Sequence, residues 1–555
     1  MPDPDTPSAT ETAAAKETAP DGSPTRVPGP RPRILLAMVL AIATSGLVYE
    51  LCMAAVGSYL LGDTVHRFSL VIGTYLSALG VGAYLSRFVD RRLAMTFIDI
   101  EFLTALIGGL SSPLLMLGHS WVGAWEVLFY GTVGVVGTLV GLELPLLMRV
   151  LEHRLELKEL LARALTVDYI GSLLGSLAFS WLLVPKLGLM RSSIVSGLMN
   201  AAVGLASTFA LRALEGVTPA ALWRARLRGA FVMCILLGAW LSAGRLTARA
   251  DASTLPGTAI LTEQTPYQRI VVTESRGPQG RTDLRLFLNG HLQFSSLDER
   301  RYHEALVHPV LALAERRQRV WIGGGGDGLA AREVLRHPDV ERLTLVDLDP
   351  EMTALFSRHP RLSSLNEHAF EDSRLHVVND DAFTYLRERS PTFDVAILDF
   401  PDPNSYALGK LYSLEFYRLL RARLAPRGLV VIQATSPFFA RQAFWCIEAT
   451  LRAAGFDTLP YRIFVPSFGD WGYILAGTGA LGFEGLASAR EQLATAENPG
   501  STGPSLPRGL SYLTPQILRA SVAFPPDSQR SPVAVNRLDN QALVGYYSAA
   551  WERFN

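Results

Sequence analysis

Arg319-Val-Trp-Ile-Gly-Gly-Gly-Gly-Asp-Gly328 is the stretch on which the fold of this 555-residue chain turns. A short β-branched and aromatic run enters four glycines, and Leu329 to Arg336 continues with helical spacing. A strand that feeds a helix through a glycine turn opens a βαβ unit, leaving the turn backbone and helix N-terminus free to face a ligand. Four more strand-like runs follow with helical stretches between them: Leu343-Thr-Leu-Val-Asp-Leu-Asp349, Leu375-His-Val-Val-Asn-Asp-Asp381, Phe393-Asp-Val-Ala-Ile-Leu-Asp399 and Gly428-Leu-Val-Val-Ile-Gln433. This rhythm predicts a doubly wound parallel sheet of the Rossmann-like kind over residues 299–490, with ligands beyond the carboxyl ends of its strands.

Ahead of it, Ile270-Val-Val-Thr-Glu and Leu284-Arg-Leu-Phe-Leu-Asn-Gly read as hairpin strands closed by Asn289-Gly290. They form a small β-subdomain that, with a linker starting at 246, spans 246–298. A helix is expected at about 299–315, opened by Asp298. Beyond it, 491–555 reads as a Pro/Gly/Ser-rich linker, densest at 496–507, and a helical extension at 538–553 that docks back on a domain.

The N-terminal half has another character. The chain balances 51 basic against 51 acidic residues and is only 18% charged, below the roughly 25% usual for soluble domains. Mean hydropathy is +0.22. Residues 1–32, rich in Pro, Ala, Thr, Glu and Asp, read as a disordered tail, which argues against a cleaved signal peptide. Apolar runs then fall at about 34–60, 68–89, 97–118, 121–148, 165–188, 191–212 and 229–245. They predict a multi-pass α-helical membrane domain of about seven helices over 33–245. Glycines such as those of the run 131–141 should let these helices pack closely. Glu50, Asp99, Glu101, Glu126, Glu143 and Asp168 lie within or at the edges of the runs and either bond to neighbouring helices or serve a function.

Zero net charge argues against a protein that grips nucleic acid. Cys52, Cys234 and Cys446 are too scattered for a disulfide framework or a zinc site, and no His/Cys cluster has metal spacing, so no metal is expected.

The acids at the strand ends carry the functional reading. Asp327 follows the first strand, Asp347 and Asp349 the second, Asp380 and Asp381 the third, Asp399 and Asp402 the fourth. One such Asp does no more than cap a helix; a whole rim of them suits a cation. An acid ending the strand after the glycine turn suits a free ribose. A sulfonium nucleoside with an ammonium tail fits, and so does a polyamine. A carboxylate beside an ammonium can take the proton that the amine must lose before it attacks carbon.

These pieces resemble the polyamine aminopropyltransferases, the spermidine synthase family. The match runs from about 260 to 480 through Tyr267-Gln-Arg-Ile270, Leu288-Asn-Gly-His-Leu-Gln293, Asp298-Glu-Arg-Arg-Tyr-His-Glu304, Gly324-Gly-Gly-Asp-Gly328, Arg332-Glu-Val-Leu-Arg-His337, Val346-Asp-Leu-Asp349, Asp380-Asp-Ala382 and Asp399-Phe-Pro-Asp-Pro403. The resemblance implies a methyltransferase-type fold and transfer of the aminopropyl group of decarboxylated S-adenosylmethionine, a co-substrate, to putrescine. The products are spermidine and methylthioadenosine, and no further cofactor is implied. It implies Asp399 as general base and Gln268, Gln293, His303, Asp327, Asp347, Asp380 and Asp381 around the donor. Tyr302, Asp402, Gln433 and Asp470 fall around the amine, and Asp402 to Leu411 forms a closing loop. A homodimer is allowed.

The chain departs from the family at Phe400 and Pro401, where hydroxyl residues are usual, and at Val465, where Tyr is usual. These departures bear on the acceptor more than the donor. The membrane half marks a membrane-bound branch. Three other readings stand beside this one: another acceptor amine, an S-adenosylmethionine methyltransferase, and a polyamine transporter or sensor with a transferase-like domain. Asp327 would repel the carboxylate of the methyl donor. The membrane side is a conflict: Arg87, Arg91, Arg92 and the basic groups at 149–163 and 212–228 put the N-terminus inside. Seven spans then put the enzyme outside, away from a cytosolic donor, unless 229–245 does not cross.

Overall fold

The structure, a computed structural model, describes residues 32–61, 65–118, 124–151, 157–212, 217–389, 392–477 and 506–551. The expected tail before Pro32 and the linker before Leu506 lie outside the described residues. The N-terminal half is a bundle of helices: α1 (Pro32–Leu61), α2 (Val65–Leu85), α3 (Leu93–Gly118), α4 (Trp125–Leu151), α5 (Leu157–Ala178), α6 (Val184–Ala210) and α7 (Pro219–Thr254). Among the described residues, six stretches are long and apolar enough to cross a membrane.

One of these, Leu161–Ala210, runs 50 residues, more than twice the length a roughly 30 Å hydrocarbon core requires. It breaks at Gly188, whose φ of 74° no β-substituted residue adopts easily. Its two arms lie on α1 in opposite senses. Gly171 and Gly175 follow Leu40 and Thr44 in order, whereas Asn200 and Ser207 meet Ser45 and Met38 in reverse order.

The glycine run works in part. Gly137 and Gly141 abut the α2 backbone, while Gly131 and Gly134 have open space where a Cβ would stand. Helix α7 is far longer than its apolar run at 229–245 and takes up most of the expected linker. Two of its arginines find partners in the bundle: Arg228 pairs with Asp99 at 2.9 Å, and Arg226 bonds Thr208 and stacks on Phe209.

After α7 comes an antiparallel sheet, β1 (Thr258–Gln264), β2 (Arg269–Arg276), β3 (Thr282–Leu288) and β4 (His291–Ser295), paired in chain order. The two expected strands pair as β2 and β3, but residues 277–281 join them; Asn289-Gly290 closes β3 on β4 instead, and β1 adds a further strand. In that β3–β4 turn Asn289 and Gly290 take φ of 50° and 85°.

The α/β domain follows: α8 (Glu299–Leu313), β5 (Arg319–Gly324), α9 (Leu329–Leu335), β6 (Arg342–Asp347), α10 (Pro350–Arg358), α11 (Pro360–Ser363), β7 (Leu375–Asn379), α12 (Ala382–Glu388), β8 (Phe393–Asp399), α13 (Tyr406–Gly409), α14 (Leu414–Arg423), β9 (Leu424–Gln433), α15 (Arg441–Ala453), β10 (Asp457–Val465) and β11 (Gly469–Gly477). Two helices of the C-terminal extension, α16 (Pro515–Ser521) and α17 (Ala542–Trp551), complete it. The sheet order is β10-β11-β9-β8-β5-β6-β7, parallel from β9 to β7 with β10 and β11 antiparallel at the edge.

Strand alternation divides β5 between two cores. Trp321 enters one, with Phe393, Phe416 and Phe444; Val320 and Ile322 enter the other, with Leu306, Leu345 and Val431. Each buried side chain of this size contributes about 1.5–3 kcal/mol. The sheet is therefore fixed from both faces, and the carboxyl ends of β5, β6 and β8 are set side by side.

Candidate active site

Those strand ends open into one cavity of about 1880 Å³. Asp327, Asp347, Asp381, Asp399 and Asp402 line it. The glycine turn makes the approach possible. A Cβ on Gly324 would stand 2.3 Å from the Asp399 carbonyl, and one on Gly326 would stand 2.6 Å from the Asp347 carboxylate. With no side chain there, the Gly326 N–H donates to Asp347 Oδ2 at 3.0 Å.

At the centre, the Tyr302 hydroxyl donates to Asp399 Oδ1 at 2.7 Å, and His303 Nε2 lies 4.0 Å from Asp399 Oδ2. One ligand atom each from His303, Asp327 and Asp399 fall within 4.8 Å of one another. Burial raises the Asp399 carboxyl above its ordinary value, against His303 and the Tyr302 hydrogen bond. Burial, with Asp399 close by, pushes Asp327 up to about 6. Burial alone would lower the His303 pKa, but the Glu299 carboxylate on Nδ1 at 3.0 Å reverses this and raises it. Two buried carboxylates beside one imidazole leave an excess of acceptors that suits a cationic partner.

Around the centre, Asp347 is pushed up to about 6 by burial while accepting the Asp349 N–H at 2.9 Å. Gln268 lines the cavity and donates to Asp349 at 2.9 Å. Gln293 also lines it. Asp381 caps α12 and meets Lys410 Nζ at 2.6 Å; burial opposes its ionisation, but Lys410 and the Thr384 N–H hold it below its ordinary value.

On the other side, Asp402 Oδ2 accepts the Tyr547 hydroxyl at 2.9 Å, and Gln433 Nε2 lies 3.3 Å from Oδ1. Burial pushes Asp402 up to about 6. The loop Asp402 to Leu411, with α13 in it, covers this side, and Asn404, Ala407 and Leu408 face the cavity.

Two sequence candidates point elsewhere. Asp380 is not among the lining side chains; its carboxylate bonds the Asp381 N–H at 2.8 Å and faces Arg389 at 4.0 Å. Asp470 pairs with Arg462 at 2.8 Å. The register of β10 on β11 sets Trp471 across from Ile463 and Asp470 across from Phe464, so alternation turns Trp471 into the cavity and Asp470 out of it. Val465, at the family's Tyr position, is fully buried in the core.

Three contributors were not foreseen. Tyr547 arrives on α17, and Lys410 comes from the closing loop. The third is the N-terminal helix bundle, in which Lys186 and Arg191, on either side of the α6 break at Gly188, reach the wall.

A parallel sheet whose strand ends carry a glycine turn and a ring of buried acids defines a group-transfer enzyme for a cationic nucleoside. A family profile described as the spermine/spermidine synthase domain matches residues 299–480. The polyamine aminopropyltransferase of Leptospira interrogans is 43% identical over 519 residues, covering 94% of this chain and 99% of that protein. Polyamine aminopropyltransferase 2 of Ralstonia nicotianae is 44% identical over 525 residues, covering 93% and 98%. A solved spermidine synthase in complex with the transition-state analogue AdoDATO is 26% identical, with a TM-score of 0.42 over 48% of this chain and 85% of its own. The chain belongs to the polyamine aminopropyltransferase family.

Proposed function

We propose that the chain is a membrane-bound spermidine synthase, transferring the aminopropyl group of decarboxylated S-adenosylmethionine to putrescine. The observation that carries this reading is the Asp327–Asp399–His303 centre at the mouth of the glycine turn. Asp347 takes the ribose hydroxyls, Asp381 the adenine edge, and Asp327 the ammonium of the aminopropyl arm. Asp402, with Tyr547 and Gln433, takes the far ammonium of the acceptor.

Asp399 accepts a proton from the near ammonium. The freed nitrogen lone pair attacks the methylene carbon next to sulfur, forming C–N as C–S breaks. The bonding pair leaves on sulfur, so the sulfonium becomes the neutral thioether of methylthioadenosine. Holding both reactants in line supplies much of the rate.

The acceptor is tested with the full chain in detergent, given the donor and putrescine, cadaverine, agmatine or spermidine in turn. The highest kcat/KM is expected with putrescine; a higher value with another amine would reassign the acceptor. Tyr547→Phe removes one hydrogen bond to a buried carboxylate, worth roughly 1–3 kcal/mol. The acceptor KM should rise about tenfold while the donor KM stays within twofold, as initial rates will show.

The same proposal places the catalytic domain opposite the basic loops. Arg149, at the end of α4, bonds the Ser86 carbonyl at the end of α2, beside Arg87. The cavity instead meets the other end of the bundle, at the α6 break at Gly188. If basic loops face the cytoplasm, the catalytic domain faces out, and the donor has to reach that side. A phosphatase reporter that works only outside the cytoplasm, fused after Asn555, should be active. Inactivity there, with a cytoplasmic reporter active at the same position, would reverse the orientation.

A further inference from the structure

The membrane half holds a second polar centre. Glu101 on α3 and Glu143 on α4 are both fully buried. Neither oxygen of Glu101 has a hydrogen-bond partner, nor does Glu143 Oε2. Among the described residues, neither acid is paired with a base. The Tyr49 side chain on α1 is also fully buried; its hydroxyl has no partner and stands within electrostatic reach of both acids. Asn200 on α6 donates to Glu143 Oε1 at 3.4 Å and itself accepts from Ser45. Four helices therefore converge on two carboxylates whose remaining lone pairs are unused.

The depth matters. Glu101 lies eight residues from the start of α3 at Leu93, and Glu143 eight residues from the end of α4 at Leu151. At 1.5 Å per residue this is roughly 12 Å inside the bundle, where an unpaired carboxylate is costly and a cation bound to it is strongly held.

Polar side chains lead from this centre toward the catalytic cavity. On α1, Tyr49 is followed by Cys52 and then by Ala55 and Ser58 in the cavity wall. Buried Thr104, Ser111 and Ser112 on α3 lead to Met116, and buried Ser196 and Ser193 on α6 lead to Met190; both methionines line the cavity. The Ser193 hydroxyl bonds the Gly109 carbonyl across the α3–α6 contact.

We propose that Glu101 and Glu143, with the Tyr49 hydroxyl and Asn200, bind an alkylammonium group inside the helix bundle, so that the membrane half holds an amine below the catalytic cavity. The choice of an amine among cations rests on the reading of the catalytic site given above; the anionic centre itself does not.

The test is equilibrium dialysis of radiolabelled spermidine against the full chain in zwitterionic nanodiscs without donor. Two spermidines per chain are expected for the wild type and one for the Glu101→Gln/Glu143→Gln variant. That variant should keep methylthioadenosine formation in detergent at saturating amine, which also shows it to be folded. Tyr49→Phe, a smaller change, should weaken the second site at least tenfold.

Equal stoichiometry in wild type and double variant would overturn the proposal, leaving a protonated acid pair with no ligand. Displacement of the second spermidine by equimolar NaCl would also overturn it, assigning the centre to an alkali ion. Turnover is read separately. A wild type that forms no methylthioadenosine would sink the transferase reading without altering the difference of one spermidine between wild type and the double variant.

Discussion

Asp399→Asn is expected to cut turnover by about 10²–10⁴-fold, the range for loss of a general base, while donor binding stays within a few-fold. The substitution keeps the size of the side chain and one acceptor for the Tyr302 hydroxyl, now at 2.7 Å from Oδ1. It removes the negative charge and with it the capacity to take a proton.

The pH dependence follows from the same group. Burial raises the Asp399 carboxyl, and Asp327 beside it is pushed up to about 6. Below its raised pKa, Asp399 is protonated and cannot accept; above it, the carboxylate is free to act. The acid limb of kcat/KM should therefore lie above the ordinary carboxylate range. The neighbouring acids are close enough to titrate together, so the limb reports the group as a whole. Rates of methylthioadenosine release between pH 4.5 and 8 check both points. An Asn variant within twofold of wild type would remove Asp399 from the role of base.

The second large effect concerns a residue that never reaches the cavity. Arg332 forks onto Glu299 through Nη1 at 3.0 Å and Nη2 at 2.8 Å, and its Nε donates to Glu333 at 2.8 Å. All three side chains are almost fully buried. Arg332→Met leaves buried Glu299 with His303 and buried Glu333 with His308, Arg300 and Arg336, and breaking such a buried fork costs about 3–5 kcal/mol.

The loss should also reach the site. Glu299 holds His303 Nδ1, so a displaced Glu299 frees the imidazole that faces Asp399. Chemical unfolding of the full chain in micelles, followed by near-UV circular dichroism, reads the stability. Arg332→Lys should recover only part of it, because an ammonium cannot fork onto a carboxylate. An Arg332→Met variant as stable as wild type would show that the network contributes nothing net.

Much of this site was legible in the chain because parallel sheets place function at strand ends. Asp327, Asp347 and Asp399 each follow a short β-branched run, so finding the strand also located the acid. What was not legible depended on pairing. Asp470 and Trp471 are adjacent in sequence, and only the register of β10 on β11 decides which of them faces the cavity. Tyr547 meets Asp402 across 145 residues of chain, a distance over which no local pattern carries information.

Helix α7 was underestimated because hydropathy counts Arg226 and Arg228 as charges. In the bundle Asp99 pairs with Arg228, and Thr208 and Phe209 hold Arg226. Strand β1 was missed for another reason. Its residues are mostly exposed or half-buried, so little apolar alternation marks it.

The central claim is that the buried acids at the ends of β5 and β8 move an aminopropyl group from a sulfonium nucleoside to an amine. The most direct measurement is a product count from the full chain in detergent, supplied with decarboxylated S-adenosylmethionine and putrescine. One methylthioadenosine is expected for each spermidine formed, with both lost together in Asp399→Asn. Folded protein that binds the donor but releases no methylthioadenosine with any amine would contradict the account.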